Sequence, residues 1–258
     1  MKKIYLFLSI SILILQSCSS SDSNLSSSSN VLVKKSIYTD PSGVYITTFS
    51  TYNGNKALEQ KSYYNDALFA TSKITYNGDL ITKAEIFDEN NILIEKDIYN
   101  YDINNKLASY IELDYRSNQF RRNVYDNSLF GLVRYNCYEG DEFYQNNLVS
   151  TGEITFQNGE ISKHVEHTGA TTKTSTFTYD NQNCPSKNVL GIDRVSYAVI
   201  GTFTSEINHN LIQMKISYSG NSNGFIIDYQ HTFNNDGYPI TRYVTSNGNF
   251  SESSQIFY

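Results

Sequence analysis

The 258-residue chain carries 20 Lys and Arg against 26 Asp and Glu. The resulting formal charge of −6 leaves no cationic surplus for a phosphate backbone and argues against nucleic acid as a partner. With 22 Tyr, 14 Phe, no Trp, and only 7 Ala against 29 Asn, the composition favours strands and turns over helices.

The chain opens with Lys2 and Lys3, an apolar run from Ile4 to Leu15, and then Leu15-Gln16-Ser17-Cys18. These twelve residues, interrupted only by Ser9 and Ser11, make a helix of about 18 Å, well short of the roughly 30 Å of a bilayer core. Residues 1–17 therefore read as a cleaved secretory signal. A leucine three residues before a cysteine, with a small residue between, resembles the bacterial lipobox. That resemblance implies acylation of Cys18 as the mature N-terminus. Residues 19–30 hold one apolar side chain in twelve and cannot offset backbone ordering entropy, so residues 18–30 read as a lipidated cysteine and a Ser-rich tether. The acyl chains would supply the two or more lipid signals that stable anchoring needs. Cys137 and Cys184 remain, in an oxidising compartment, as either a disulfide pair or two partly buried free thiols.

From Val31 to Tyr258 one phrase recurs: an aromatic, one to four residues drawn from Asn, Asp, Gln and Gly, then an aliphatic that opens the next strand. Its short form is Tyr52-Asn53-Gly54, Tyr76-Asn77-Gly78, Tyr144-Gln145-Asn146-Asn147 and Phe156-Gln157-Asn158-Gly159. Asn-Gly between alternating stretches predicts type I′ hairpins, whose central residues both need positive φ. Its long form starts at Phe87-Asp88, Tyr101-Asp102, Tyr179-Asp180 and Phe233-Asn234, where Asp or Asn caps the turn and Asn or Gly takes the left-handed position. Spacings near twelve predict about nineteen strands of about eight residues each. The alternation of Leu80, Thr82, Ala84 and Ile86 against Lys83 and Glu85, and of Ile92, Ile94 and Ile98 against Glu95 and Asp97, predicts one buried and one wet face. The expected fold is all-β: a long antiparallel meander of hairpins over residues 31–258, forming a curled sheet or an up-and-down, barrel-like closure.

The long phrase, best seen in Tyr99-Asn100-Tyr101-Asp102 with Asn105 and Leu107, resembles the YD repeat of RHS-type proteins, Tyr-Asp-x-x-Gly-x-Leu. Together with the lipobox, the tether and the Tyr and Asn bias, the chain resembles Bacteroidetes-type outer-membrane lipoproteins, including an uncharacterised family with a porin-like β fold. The resemblance implies architecture and an outer-membrane or cell-surface address, and carries no catalytic residues. It is irregular, and the phrase fades between Asp193 and Asn223.

Three motifs invite chemistry. Gly220-Asn221-Ser222-Asn223-Gly224 matches G-x-S-x-G with Asp228 and His231 downstream, but strand-like runs flank it where a nucleophile elbow needs a helix after the Ser, and Asp228 and His231 should face opposite ways. His164-Val165-Glu166-His167 puts only His164 and Glu166 on one face, too few for zinc. Glu139-Gly140-Asp141-Glu142 clusters carboxylates without the ligand alternation of a calcium loop. No catalytic residue, metal or cofactor is therefore expected. Tyr63, Tyr64, Tyr99 and Tyr101, beside turns, read as cross-strand packing. The sequence reads as a non-enzymatic, lipid-anchored envelope protein, a binding or surface-structural module whose partners are the membrane and a glycan or protein ligand. Any ligand should be held by loops and a polar strand face. The alternative is an integral outer-membrane barrel, opposed by strands too short to span and by charge on the polar face; an envelope hydrolase at Ser222 comes third.

Overall fold

The repeated phrase folds as a β-hairpin each time, and the hairpins close on themselves. The computed structural model describes residues 31–198 and 206–258; the signal, Cys18 and the tether lie outside the described residues. Sixteen antiparallel strands, from β1 (Lys35–Thr39) and β2 (Tyr45–Asn53) to β15 (Pro239–Ser246) and β16 (Asn249–Phe257), follow one another in chain order around a closed barrel. Five-residue β1 completes the ring by pairing with both β2 and β16, with Ser36 opposite Ile256. The curled-sheet option is thereby replaced by full closure, which removes both sheet edges. There are sixteen strands and not nineteen because many run longer than expected, up to 13 residues in β10 (Gln145–Gln157) and β12 (Thr171–Asn183).

Six of the seven hairpins that turn at the end bearing the termini share one local device. In β2/β3 (Lys56–Tyr64), Thr51 faces Glu59 but Tyr52 faces Ala57, so Leu58 is an extra residue on the returning strand. The same slip falls at Tyr76 between β4 (Ala67–Asn77) and β5 (Leu80–Asp88), and at Tyr101 between β6 (Leu93–Tyr101) and β7 (Leu107–Asp114). It recurs at Phe156 between β10 and β11 (Glu160–Thr168), at Tyr179 between β12 and β13 (His209–Tyr218), and at Phe233 between β14 (Asn221–Phe233) and β15. A β-bulge bends the strand and re-aims a side chain. Here it coincides with the recurrent aromatic, and Tyr52, Tyr76, Tyr101, Phe156 and Tyr179 pack against the core. The hydroxyls reach neighbouring hairpins: Tyr101 donates to Ile81 O at 2.6 Å and Tyr179 to Ile161 O at 2.9 Å. The extra residue is small and hydroxylated twice, and Thr82 and Ser162 each return a bond to the partner strand's carbonyl.

A sixteen-strand barrel is too wide for its own side chains to fill. The described parts of the long connection between β12 and β13, Cys184 to Ala198 and Glu206 to Asn208, fill this end. Leu190 N donates to Asn55 O, Asn188 Nδ2 donates to Val31 O and Tyr238 Oη, and the four-residue helix α1 (Ile192–Val195) follows Gly191 at φ 78. A Cβ at Gly191 would come within 2.7 Å of Asp79 O, so the close approach of plug to wall needs glycine. Tyr197 meets Tyr125 and Phe156 edge-on at 5.5 and 5.7 Å, and Glu160 accepts from the N–H groups of Ile207, Asn208 and His209.

The long turns repeat a single geometry. Asp88, Asp102 and Asn234 each accept two backbone N–H bonds, two and four residues on, at 2.8–3.0 Å, with Asn91, Asn105 and Gly237 at positive φ. Asp40 does the same with Gly43, a copy the sequence reading passed over although Asp-x-x-Gly is its signal. Asn158-Gly159 has positive φ at both residues, as type I′ requires, whereas at Asn77-Gly78 the turn slides one place and only Gly78, at φ 58, is left-handed. Nothing lies within 4 Å of a Cβ at Gly78, so strain alone opposes replacement. Gly78→Val should lower stability by about 1–2 kcal/mol, the cost of a left-handed L-residue, and Gly78→Asn should cost less. Urea titration of the three proteins measures both.

Candidate functional site

Residues opposite one another in the register share a face, so a row of buried residues on one strand fixes the facing of the strands beside it. Ile154, His164 and Ser175 lie inward across β10, β11 and β12; Glu153, Val165 and Thr174 therefore lie outward. The outward rows are charged at mid-strand. Glu59, Lys73, Glu85 and Lys96 alternate in sign across β3 to β6, and Arg134 pairs with Glu153 at 2.9 Å. Lys61, Lys163 and Lys215 also face out.

The lumen divides in two. At the terminal end the plug and the aromatics fill it. Toward the opposite mouth the inward residues are polar, which reverses the expected polarity of β6: Glu95 and Asp97 point in, while Lys96 and Ile98 point out. The inner face of β6 is thus the one that carries the acids, in register with buried Ile86 of β5 and Tyr110 of β7. Asp97, Glu112, Arg121 and Glu139 form one inward row across β6, β7, β8 (Gln119–Leu129) and β9 (Leu132–Gly140). Tyr99 and Tyr110 stack with centroids 5.3 Å apart, and Tyr110 Oη donates to Asp97 Oδ1 at 2.8 Å. Burial and the Glu95 charge hold the Asp97 carboxyl well above the usual range; burial and Glu112 push Glu95 up to about 7.

Beside this row Tyr135 of β9 lies over Gly152 of β10, where a Cβ would fall 2.3 Å from the ring, and Tyr135 Oη is 2.8 Å from His164 Nε2. Burial lowers His164 to about 4 and keeps it neutral. Ser150 Oγ donates to Glu166 Oε1 at 3.1 Å. Glu166, Lys173 and Tyr218 stand in register across three strands and, with Thr168 and Thr171, line a hollow of about 310 Å³ at the mouth.

The sequence-marked residues fall as follows. Cys137 is inward on β9 and Cys184 begins the plug, where its Sγ–H donates to Ile207 O; both are buried free thiols, so the disulfide alternative is not realised. Burial raises both thiol pKa values, Cys184 to about 12. His164 and Glu166 face in and His167 faces out to Thr172, and no group of three ligating side chains occurs among the described residues. Ser222 lies in β14, which continues as strand to Phe233 with no helix after it. Asp228 faces out and accepts from Gln213 Nε2 at 2.7 Å, while His231 faces in opposite Arg242. Asp141 is occupied by the N–H groups of Phe143 and Tyr144, Glu142 by Tyr115 Oη and Glu139 by Arg121, which leaves no calcium loop. Tyr63 packs edge-on to Phe49 and Tyr64 lies against Phe69, which fits cross-strand packing. The inward acidic row escaped sequence reading because alternation alone does not say which face is inside.

No protein-family model matches the sequence, and no curated protein matches it. Among solved structures the chain is similar to a porin-like protein from Bacteroides vulgatus, with 11% identity, a TM-score of 0.56 and coverage of 88% of this chain and 98% of that one. It is also similar to a porin-like protein from Bacteroides uniformis, with 15% identity, a TM-score of 0.52 and coverage of 87% and 96%. At these identities the likeness concerns the fold: a porin-like antiparallel barrel.

Glu95 gives a pH test. Its folded pKa of about 7 lies above the unfolded value near 4.3. The folded state binds the proton first, so the group's stabilising contribution is full below about 4.3 and is lost as pH rises through about 7. Glu95→Gln should therefore raise unfolding free energy at pH 8 by about 1–3 kcal/mol, and the two proteins should converge by pH 4. Urea melts at both pH values read the difference.

Proposed function

We propose that the chain is a lipid-anchored protein of the outer membrane or cell surface, held through Cys18, whose barrel stands in water and acts as a non-enzymatic binding module. The observation that carries this reading is the charged outer wall. Each Lys or Arg facing lipid at mid-bilayer costs about 2–4 kcal/mol, and the row Glu59, Lys73, Glu85, Lys96 with Arg134 and Lys163 would place several there at once. Ion pairs on the outer wall, Lys61 with Glu59, Lys83 with Glu85 and Arg134 with Glu153, stand among outward apolar residues such as Phe49 and Val124. Binding falls to the mouth. The hollow lined by Tyr218, Lys173, Glu166 and two threonines offers a ring, both charges and hydroxyls, a set suited to a hydroxylated ligand such as a glycan. The YD-like turns serve this reading as scaffold.

A second reading, the integral outer-membrane barrel, is favoured by the likeness to porin-like barrels. Strand length no longer opposes it, since β4 and β8 have 11 residues and β10 has 13, within or above the 9 to 11 that span a bilayer. No described helix is long and apolar enough to cross a membrane, which says nothing about strands. The two readings part at Cys18→Ala. A lipid-anchored barrel should leave the membrane pellet and remain folded in buffer without detergent; an integral barrel should stay in the pellet until detergent extracts it.

A further inference from the structure

Two adjacent hairpin tips at the terminal end hold large apolar side chains fully in water: Ile103, at 98% exposure, between β6 and β7, and Phe130, at 107%, between β8 and β9. Neither tip is loose. Asp102 Oδ1 accepts from Asn104 N and Lys106 N, and Asn105 takes the left-handed position. Asn127 Nδ2 donates to Leu107 O at 2.8 Å and Lys106 Nζ donates to Asn127 O at 3.2 Å, so the two hairpins are bound side by side. Gly131 O accepts from Phe156 N, tying the second tip to β10. Arg194 of the plug's short helix reaches Asn105 O. A rigid turn that could carry any polar residue instead presents Ile in one case and Phe in the other, and water gives no stabilisation for either.

The same end of the barrel receives the chain: Leu32 and Val33 are buried there, and Val31 O is held by Asn188. Residues 19–30 can separate this end from Cys18 by no more than about 40 Å. The mouth lies a further strand length away, about 30 Å for the nine residues of β9. We propose that Ile103 and Phe130 insert into the headgroup and acyl boundary of the membrane that holds the Cys18 lipid. They would stand the barrel upright with its plugged end on the membrane and its mouth away from it. The inference rests on the lipid-anchor reading and adds an orientation to it. Two inserted apolar side chains bind little by themselves, but the anchor confines them near the surface and makes insertion an intramolecular event.

The chain contains no Trp, so a single introduced Trp reports its surroundings without background. Lipidated full-length Phe130→Trp and Ile103→Trp would be reconstituted on phosphatidylethanolamine/phosphatidylglycerol vesicles. Phe143→Trp, at a tip of the mouth with 78% exposure, serves as the distal reporter. All three sites are exposed, so the substitutions leave the packing untouched. Mass analysis of the Cys18 peptide is made on the same material. The expected result is a blue shift and quenching by lipid-borne quenchers at positions 103 and 130, with position 143 still quenched by aqueous iodide. Acyl groups on Cys18 together with water-like emission at 103 and 130, or insertion at 143 instead, would overturn this inference alone. An unmodified Cys18 would overturn the anchor and the inference together.

Discussion

The coincidence of an aromatic residue with a β-bulge, repeated at the terminal end, is the constraint on which the rest of the structure depends. A meander of regular hairpins can continue as an open, twisting ribbon. When six of the seven connections at one end carry one extra residue on the returning strand, those hairpins bend and the ribbon curls. The bulges at Tyr52, Tyr76, Tyr101, Phe156, Tyr179 and Phe233 supply that bend, and all of these rings except Phe233 pack against the core. Short β1 then needs only five residue pairs with β16 to close the ring.

Closure at sixteen strands creates a volume problem that the plug solves at one end only. Val189, Val195, Ala198 and Ile207 bury themselves against the wall, while Glu160 and Asp180 satisfy the backbone groups that the incoming segment would otherwise leave unpaired. Toward the other end the inward row across β6 to β9 turns polar, from Tyr99 and Tyr110 to Asp97, Glu112, Arg121 and Glu139. The barrel's outer wall alternates in charge from Glu59 to Lys96 across β3 to β6 and elsewhere exposes apolar side chains such as Phe49, Val124 and Ile226.

Several local features were legible because they depend on residues close in sequence. The Asp-capped turns at Asp88, Asp102 and Asn234 need only a side-chain oxygen and a left-handed Asn or Gly three residues later. Strand direction, all-antiparallel order and the separation of His164 from His167 follow from period two. The turn at Asn77-Gly78 was read one residue out of place, because the sequence motif fixes which residue tolerates positive φ but not where the flanking ladder stops.

A β meander, its turn chemistry and the recurrence of aromatics near strand ends can be read from the chain alone, since these rest on backbone sterics and short-range hydrogen bonds. Only the tertiary structure decided how many strands close the ring, which face of each strand is inside, and what fills the centre. Those outcomes depend on groups far apart in the chain, as with Ser36 opposite Ile256 or Tyr125 against Tyr197. β6 shows the limit most plainly. Glu95 and Asp97 alternate with Ile94, Lys96 and Ile98 whichever way the strand faces, and the assignment of inside to the acids follows from register with buried Ile86 of β5 and Tyr110 of β7.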